Sequence, residues 1–190
     1  MLAAFPAVLM PLAAMSQIVV EKEPTQPTGP VYKYRVFAGW GYTSINQVSG
    51  SRSGLQGVDV SITRDWGRLF GLTAQGGHYA WTVTSANQYK ASVDMFLAGP
   101  ELHGNFYGPI DGFIHGLMGV VHTGDVAISP SASFAGGVGM GMDYKISPKM
   151  AIRLYGDDIA SSFTVVPYQP GYSPHRRWNA HAGFGLVYRF

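Results

Sequence analysis

The chain has 190 residues, a length that fits one domain, with a net charge of +2 and a charged content of 13%, about half the share usual in globular domains. Basic and acidic residues are interspersed, which argues against a nucleic-acid surface, and the absence of Cys excludes disulfides and thiolate metal sites. Beyond the N-terminus no apolar run is long enough to cross a bilayer as a helix, whereas 25 Gly and 13% aromatic residues suit a β-protein in contact with lipid.

Residues 1–16 form an apolar stretch of signal-peptide length, with Ala14 and Ser16 as small residues before a cut. They read as a secretion signal. A basic start is missing, so a buried helix or short anchor is the other reading. Residues 17–30 include the polar, Pro/Thr-rich run 21–30 and read as a disordered linker. The folded unit is then residues 31–190.

From there the sequence alternates in segments of about ten residues, with turn residues between them. Residues 32–43 set Tyr34, Val36, Ala38, Trp40 and Tyr42 against Lys33, Arg35, Phe37, Gly39 and Gly41. Residues 55–64 set Val58, Val60 and Ile62 against Gly57, Asp59, Ser61 and Thr63. Residues 69–78 set Phe70, Leu72 and Ala74 against Gly71, Thr73 and Gln75. Residues 90–99 are expected to set Val93, Met95 and Leu97 against Ser92, Asp94 and Phe96.

The fifth segment, 110–121, is ambiguous, because Asp111, His115 and Gly119 share a side with Phe113 and Leu117; its orientation leans towards His115 inward. Residues 131–144 set Phe134, Val138, Met140, Met142 and Tyr144 against a Gly-rich side ending in Asp143. Residues 150–158 set Met150, Ile152 and Leu154 against Ala151, Arg153, Tyr155 and Asp157. In residues 182–190, Ala182, Phe184, Leu186, Tyr188 and Phe190 alternate with Gly183, Gly185, Val187 and Arg189.

Connections are tight at 65–68 and 146–149, medium at 100–109, and long at 44–54, 77–88, 122–130 and 160–177. Short and long ones strictly alternate. An eight-stranded up-and-down barrel would therefore have one short-turn end and one long-loop end, the asymmetry of a transmembrane barrel.

Alternation alone does not say which face is wet, and a soluble barrel with an oily interior has the same period. Charge separates the two. The apolar faces lack Lys, Arg, Asp and Glu in their central stretches, where Lys or Arg at the bilayer midplane would cost about 2–4 kcal/mol. Eight charges fall on the opposite faces: Lys33, Arg35, Asp59, Asp94, Asp143, Arg153, Asp157 and Arg189. Four acids and four bases suit a closed lumen in which ionic groups pair, with the glycines leaving room for them.

The last strand, with apolar residues on one face and a terminal Phe190, resembles the C-terminal signal of bacterial outer-membrane β-barrels. The chain from about residue 31 to 190 is similar in architecture to the small eight-stranded family that includes the OmpA membrane domain and OmpX. The resemblance implies an all-β, antiparallel up-and-down transmembrane barrel in the Gram-negative outer membrane. It also implies recognition of Phe184, Leu186, Tyr188 and Phe190 by the barrel-assembly machinery. Partners would be outer-membrane lipid and lipopolysaccharide, with a further partner at the external loops.

Chemistry is sparse. His78 is the best candidate for an outer-rim base because Ser85 lies in the same predicted loop, but no Gly-x-Ser-x-Gly elbow is present. His103 falls in a predicted turn, and His115 and His181 read as lumen residues joined to Asp111 or Asp143. His175 and His181 lack a metal-ligand spacing, and the Gly-rich 136–141 run lies inside a strand rather than before a helix. Arg176, Arg177 and Trp178 read as a solvated loop end with an interfacial aromatic, contact with lipopolysaccharide phosphates being the other reading. The reading is a monomeric, non-enzymatic barrel without cofactor or metal, structural or adhesive in role, with a side-chain-plugged lumen. The 160–177 loop is its favoured contact surface. A lipid-A-modifying enzyme and a narrow ion-conducting pore are the alternatives.

Overall fold

Eight long strands carry the alternation: β1 (Tyr34–Asn46), β2 (Arg52–Trp66), β3 (Phe70–Thr82), β4 (Val93–Tyr107), β5 (Ile110–Thr123), β7 (Ala132–Lys145), β8 (Met150–Ser161) and β10 (Trp178–Arg189). Two short strands, β6 (Ile128–Ser129) and β9 (Thr164–Val165), pair with each other between the external ends of β5 and β7 and of β8 and β10. The computed structural model describes residues 32–46, 52–82, 92–123, 128–129, 132–161, 164–165 and 178–190. Segments 1–16 and 17–30 lie outside the described residues, as do the central parts of the four long connections.

The long strands close in the order β1-β10-β8-β7-β5-β4-β3-β2, each antiparallel to its neighbours. The segments predict this eight-stranded up-and-down barrel, and the seam lies between the first and last strands. There Val36 faces Tyr188 and Trp40 faces Phe184, while Tyr34 and Phe190 exchange backbone hydrogen bonds of 3.0 Å each. The tight turns take glycine where the backbone goes left-handed, at Gly67 (φ 82) and Gly108 (φ 52).

Two expectations fail on β4. The medium connection at 100–109 is strand as far as Tyr107, and the turn is Gly108-Pro109. Pro100 has no N–H for a ladder, and the pairing with β5 breaks between Ala98↔Met118 and Glu101↔His115. The faces of this strand are also reversed. Val93, Met95 and Leu97 are buried inside, while Asp94, Phe96 and Leu102 point out. Both faces of the segment are apolar, so the single charge at Asp94 tips the reading; in fact Asp94 lies at the external strand end, where outward charge is cheap.

The long loops are shorter than expected, because β1, β2, β3, β5 and β8 extend into them to Asn46, from Arg52, and to Thr82, Thr123 and Ser161. The fifth segment has His115 inward, together with Phe113, Leu117 and Val121. The interior is therefore not ionic throughout. Leu55, Tyr79, Leu97, Leu117, Val121 and Ile159 belong to an apolar cluster in its external half.

Outside, Val60, Ile62, Leu72, Phe96, Met140 and Leu154 are all exposed. In water, so continuous an apolar exterior would drive aggregation. Around a closed barrel it is the lipid-facing band.

Candidate functional site

Alternation sends every second side chain into the lumen, and two polar sets form there. Nearest the short-turn end, Arg35 donates to Asp65 at 2.9 and 2.7 Å and to Glu101 at 2.6 Å. Arg153 grips Asp143 through two hydrogen bonds of 2.7 and 3.0 Å and lies 4.3 Å from the centroid of the Phe113 ring. At the mouth, Lys145 and Arg189 reach Asp111 at 2.7 and 3.2 Å.

The second set lies at mid-barrel. Asp59 accepts from Tyr155 at 2.8 Å and also from Tyr79, and lies 3.2 Å from Nε2 of His181. Asp157 lies 3.0 Å from Nδ1 of His181, accepts from His115 at 2.9 Å and from Gln75 at 3.4 Å. Glycine makes the room: a methyl group on Gly139 would overlap Asp157 and His115, and one on Gly41 would overlap Asp59.

Of the eight predicted lumen charges, Arg35, Asp59, Asp143, Arg153 and Asp157 are buried inside, and Arg189 sits at the mouth. Two are elsewhere. Lys33 is exposed ahead of β1, where strand parity no longer applies, and Asp94 is on the outer face. His115 and His181 are lumen residues, but their carboxylates are Asp157 and Asp59 rather than Asp111 or Asp143.

Sequence reasoning missed Asp65, Glu101 and Tyr79 as members of these sets, and gave Tyr155 its lumen-side parity but no partner. Asp65 shares the parity of Asp59, Ser61 and Thr63, so extending β2 by one residue would have found it. Glu101 was hidden by the turn reading of 100–109.

On the outer face a polar row crosses three strands. Asp94 pairs directly with His78 on β3 and His122 on β5. Nδ1 of His78 is 2.5 Å from one carboxylate oxygen and Nδ1 of His122 is 3.5 Å from the other, and all three side chains are about half exposed. Among the described residues no group of His, Asp and Glu is arranged to hold a metal. Ser85, Arg176, Arg177 and His175 lie outside the described residues. Phe184, Leu186, Tyr188 and Phe190 form an outward apolar row, each about half exposed, beside Trp40 and Tyr34 of β1.

No protein-family model matches this chain, and no curated protein does. Solved structures do. Neisserial surface protein A matches with a TM-score of 0.67 at 11% identity, over 83% of this chain and 97% of that one. The fold is that of the small outer-membrane barrels. OprG from Pseudomonas aeruginosa matches this barrel with a TM-score of 0.55 at 7% identity, over 85% of this chain and 97% of that one. Ail, the attachment invasion locus protein of Yersinia pestis, matches with a TM-score of 0.52 at 11% identity, over 84% of this chain and 100% of that one.

Proposed function

We propose that this outer-membrane barrel is a non-enzymatic anchor that displays its external loops as an interaction surface, with a lumen closed to general diffusion. One observation carries the reading: ion pairs fill the short-turn half of the lumen and apolar side chains fill the external half. A void of about 10 Å³ among Gln75, Phe113, His115, Arg153 and Tyr155 is roughly the size of one water. Eight strands enclose a space that side chains can fill, so function moves to the loops that the rigid barrel holds in place.

Residues 1–16 then act as the export signal and 17–30 as a linker. Outer-membrane lipid and lipopolysaccharide surround a monomer, and the row Phe184 to Phe190 is what the assembly machinery reads. Residues 160–177 are the favoured contact loop, and the likeness to a protein called an attachment invasion locus protein agrees with adhesion. Replacing residues 162–177 by a Gly-Ser linker tests this. The expected result is a barrel that still folds, is silent in planar bilayers like the intact chain, and loses attachment of expressing cells to host-cell surfaces. Porin-sized conductance from the intact chain, or undiminished attachment by the loop variant, would overturn it.

The outer row of His78, Asp94 and His122 favours a second reading, a lipid-A-modifying enzyme. An imidazole held by a carboxylate at the membrane rim is half of a hydrolytic site. Incubating the refolded barrel with lipid A tests that reading, and release of fatty acid that stops in Asp94→Asn would establish it.

A further inference from the structure

The two polar sets of the lumen differ in what balances their carboxylates. At the short-turn end, Asp65, Glu101, Asp111 and Asp143 stand with four permanent cations: Arg35, Lys145, Arg153 and Arg189. At mid-barrel Asp59 and Asp157 are buried, and none of their ion-pair or hydrogen-bond partners among the described residues is an Arg or a Lys. Among the described residues their basic partners are two imidazoles, His115 and His181.

His181 is enclosed, and both of its ring nitrogens face carboxylate oxygens: Nδ1 that of Asp157 at 3.0 Å and Nε2 that of Asp59 at 3.2 Å. A carboxylate only accepts, and a neutral imidazole has only one N–H. Tyr79 lies 3.0 Å from Nε2 and has a single proton for two acceptors, Asp59 and His181. The remaining neighbour, Tyr155, already donates to Asp59. With His181 neutral, one buried carboxylate oxygen would face a lone pair. With both nitrogens protonated, every donor has an acceptor and the charge of one acid is cancelled.

We infer that mid-barrel is a proton-binding site in which His181 is held as imidazolium between Asp59 and Asp157, and that this bound proton locks the closing strand. His181 lies on β10, which seals the barrel against β1 with Thr43 opposite His181. The charged ring ties that strand across the lumen to Asp59 on β2 and Tyr79 on β3, and sideways to Asp157 and Tyr155 on β8. A slip of one residue along the seam would turn His181 outwards to lipid, so the proton specifies register as well as cancelling one of the two buried negative charges. His115 extends the set: Nε2 is 2.9 Å from Asp157, and Nδ1 is 4.0 Å from Glu101, whose Oε2 has no hydrogen-bond partner among the described residues.

The test uses the full chain, refolded in micelles with ¹⁵N-labelled histidine, at about pH 8, well above the ordinary imidazole value of about 6.5. The expected spectrum contains an imidazolium pattern, two equivalent protonated nitrogens, that disappears in His181→Gln. A single-tautomer pattern for His181 at that pH would overturn the inference, with Tyr79 then donating to its ring. Unfolding provides a second measurement that needs no variant. A proton held only in the folded state makes the unfolding equilibrium constant rise about tenfold per pH unit above the unfolded imidazole value. A slope of zero between about pH 7 and 8 overturns the inference even if His181→Gln does not fold.

Discussion

The same chemical pair, histidine with aspartate, occurs both inside this barrel and on its outer rim. In the lumen, His181 and Asp157 are 3.0 Å apart and the side chains are at most 1% exposed; at the outer rim, His78 and Asp94 are 2.5 Å apart and more than half exposed. Distance alone would rank the outer pair as the stronger. Burial reverses the order, because a buried charge that loses its partner keeps its full desolvation penalty, whereas an exposed one is rehydrated by water. The consequence of an ion pair here is set by which face of the strand carries it.

Breaking a lumen pair should have the largest effect. Arg153 is buried, and its ion-pair partner among the described residues is Asp143. Asp143→Ala leaves that guanidinium with the Phe113 and Phe37 rings and no counter-ion. The expected loss is about 3–5 kcal/mol, measured by urea unfolding of the barrel in vesicles. A loss below about 1 kcal/mol, the scale of an exposed pair, would mean that water enters the lumen freely.

The lumen was only partly legible in the sequence, for reasons the strands themselves show. Parity was enough to turn Asp59, Asp143 and Arg153 inward, because each is flanked by outward apolar residues, and Asp157 follows the parity of Arg153 and Tyr155 on the same strand. It failed at Asp94, where both faces are apolar and the charge lies past the lipid band. Partnership was harder to read than direction. His181 meets Asp157 because β10 and β8 pair in that register, and it meets Asp59 only across the closed lumen. Neither fact is local in sequence. Pro100 hid Glu101 because proline usually marks a turn, and here it lies within a strand whose β5 ladder breaks beside it.

A charge placed one residue further along tests the lipid face. Leu154 follows Arg153 directly on β8 and is exposed on the barrel's exterior between Met142 and Phe184. Leu154→Arg should cost about 2–4 kcal/mol in vesicles, comparable with stranding Arg153 inside although no pair is broken. If Leu154 faced water, the change would be nearly neutral. The two variants together therefore distinguish a lipid-facing exterior from a soluble one, with adjacent residues serving as each other's control.

The smallest effect belongs to the rim. Asp94→Asn removes the charge between His78 and His122 but leaves an amide that can hydrogen-bond either ring. Water and lipid headgroups replace what is lost, so stability should fall by no more than about 1 kcal/mol in the same unfolding measurement. A loss as large as that of Asp143→Ala would mean that Asp94 is desolvated and the lipid band extends above it. The outward row on β4 would then begin at Asp94 rather than at Phe96. Because the change is expected to spare the fold, any loss of activity on lipid A in this variant would reflect chemistry at the rim rather than damage to the barrel.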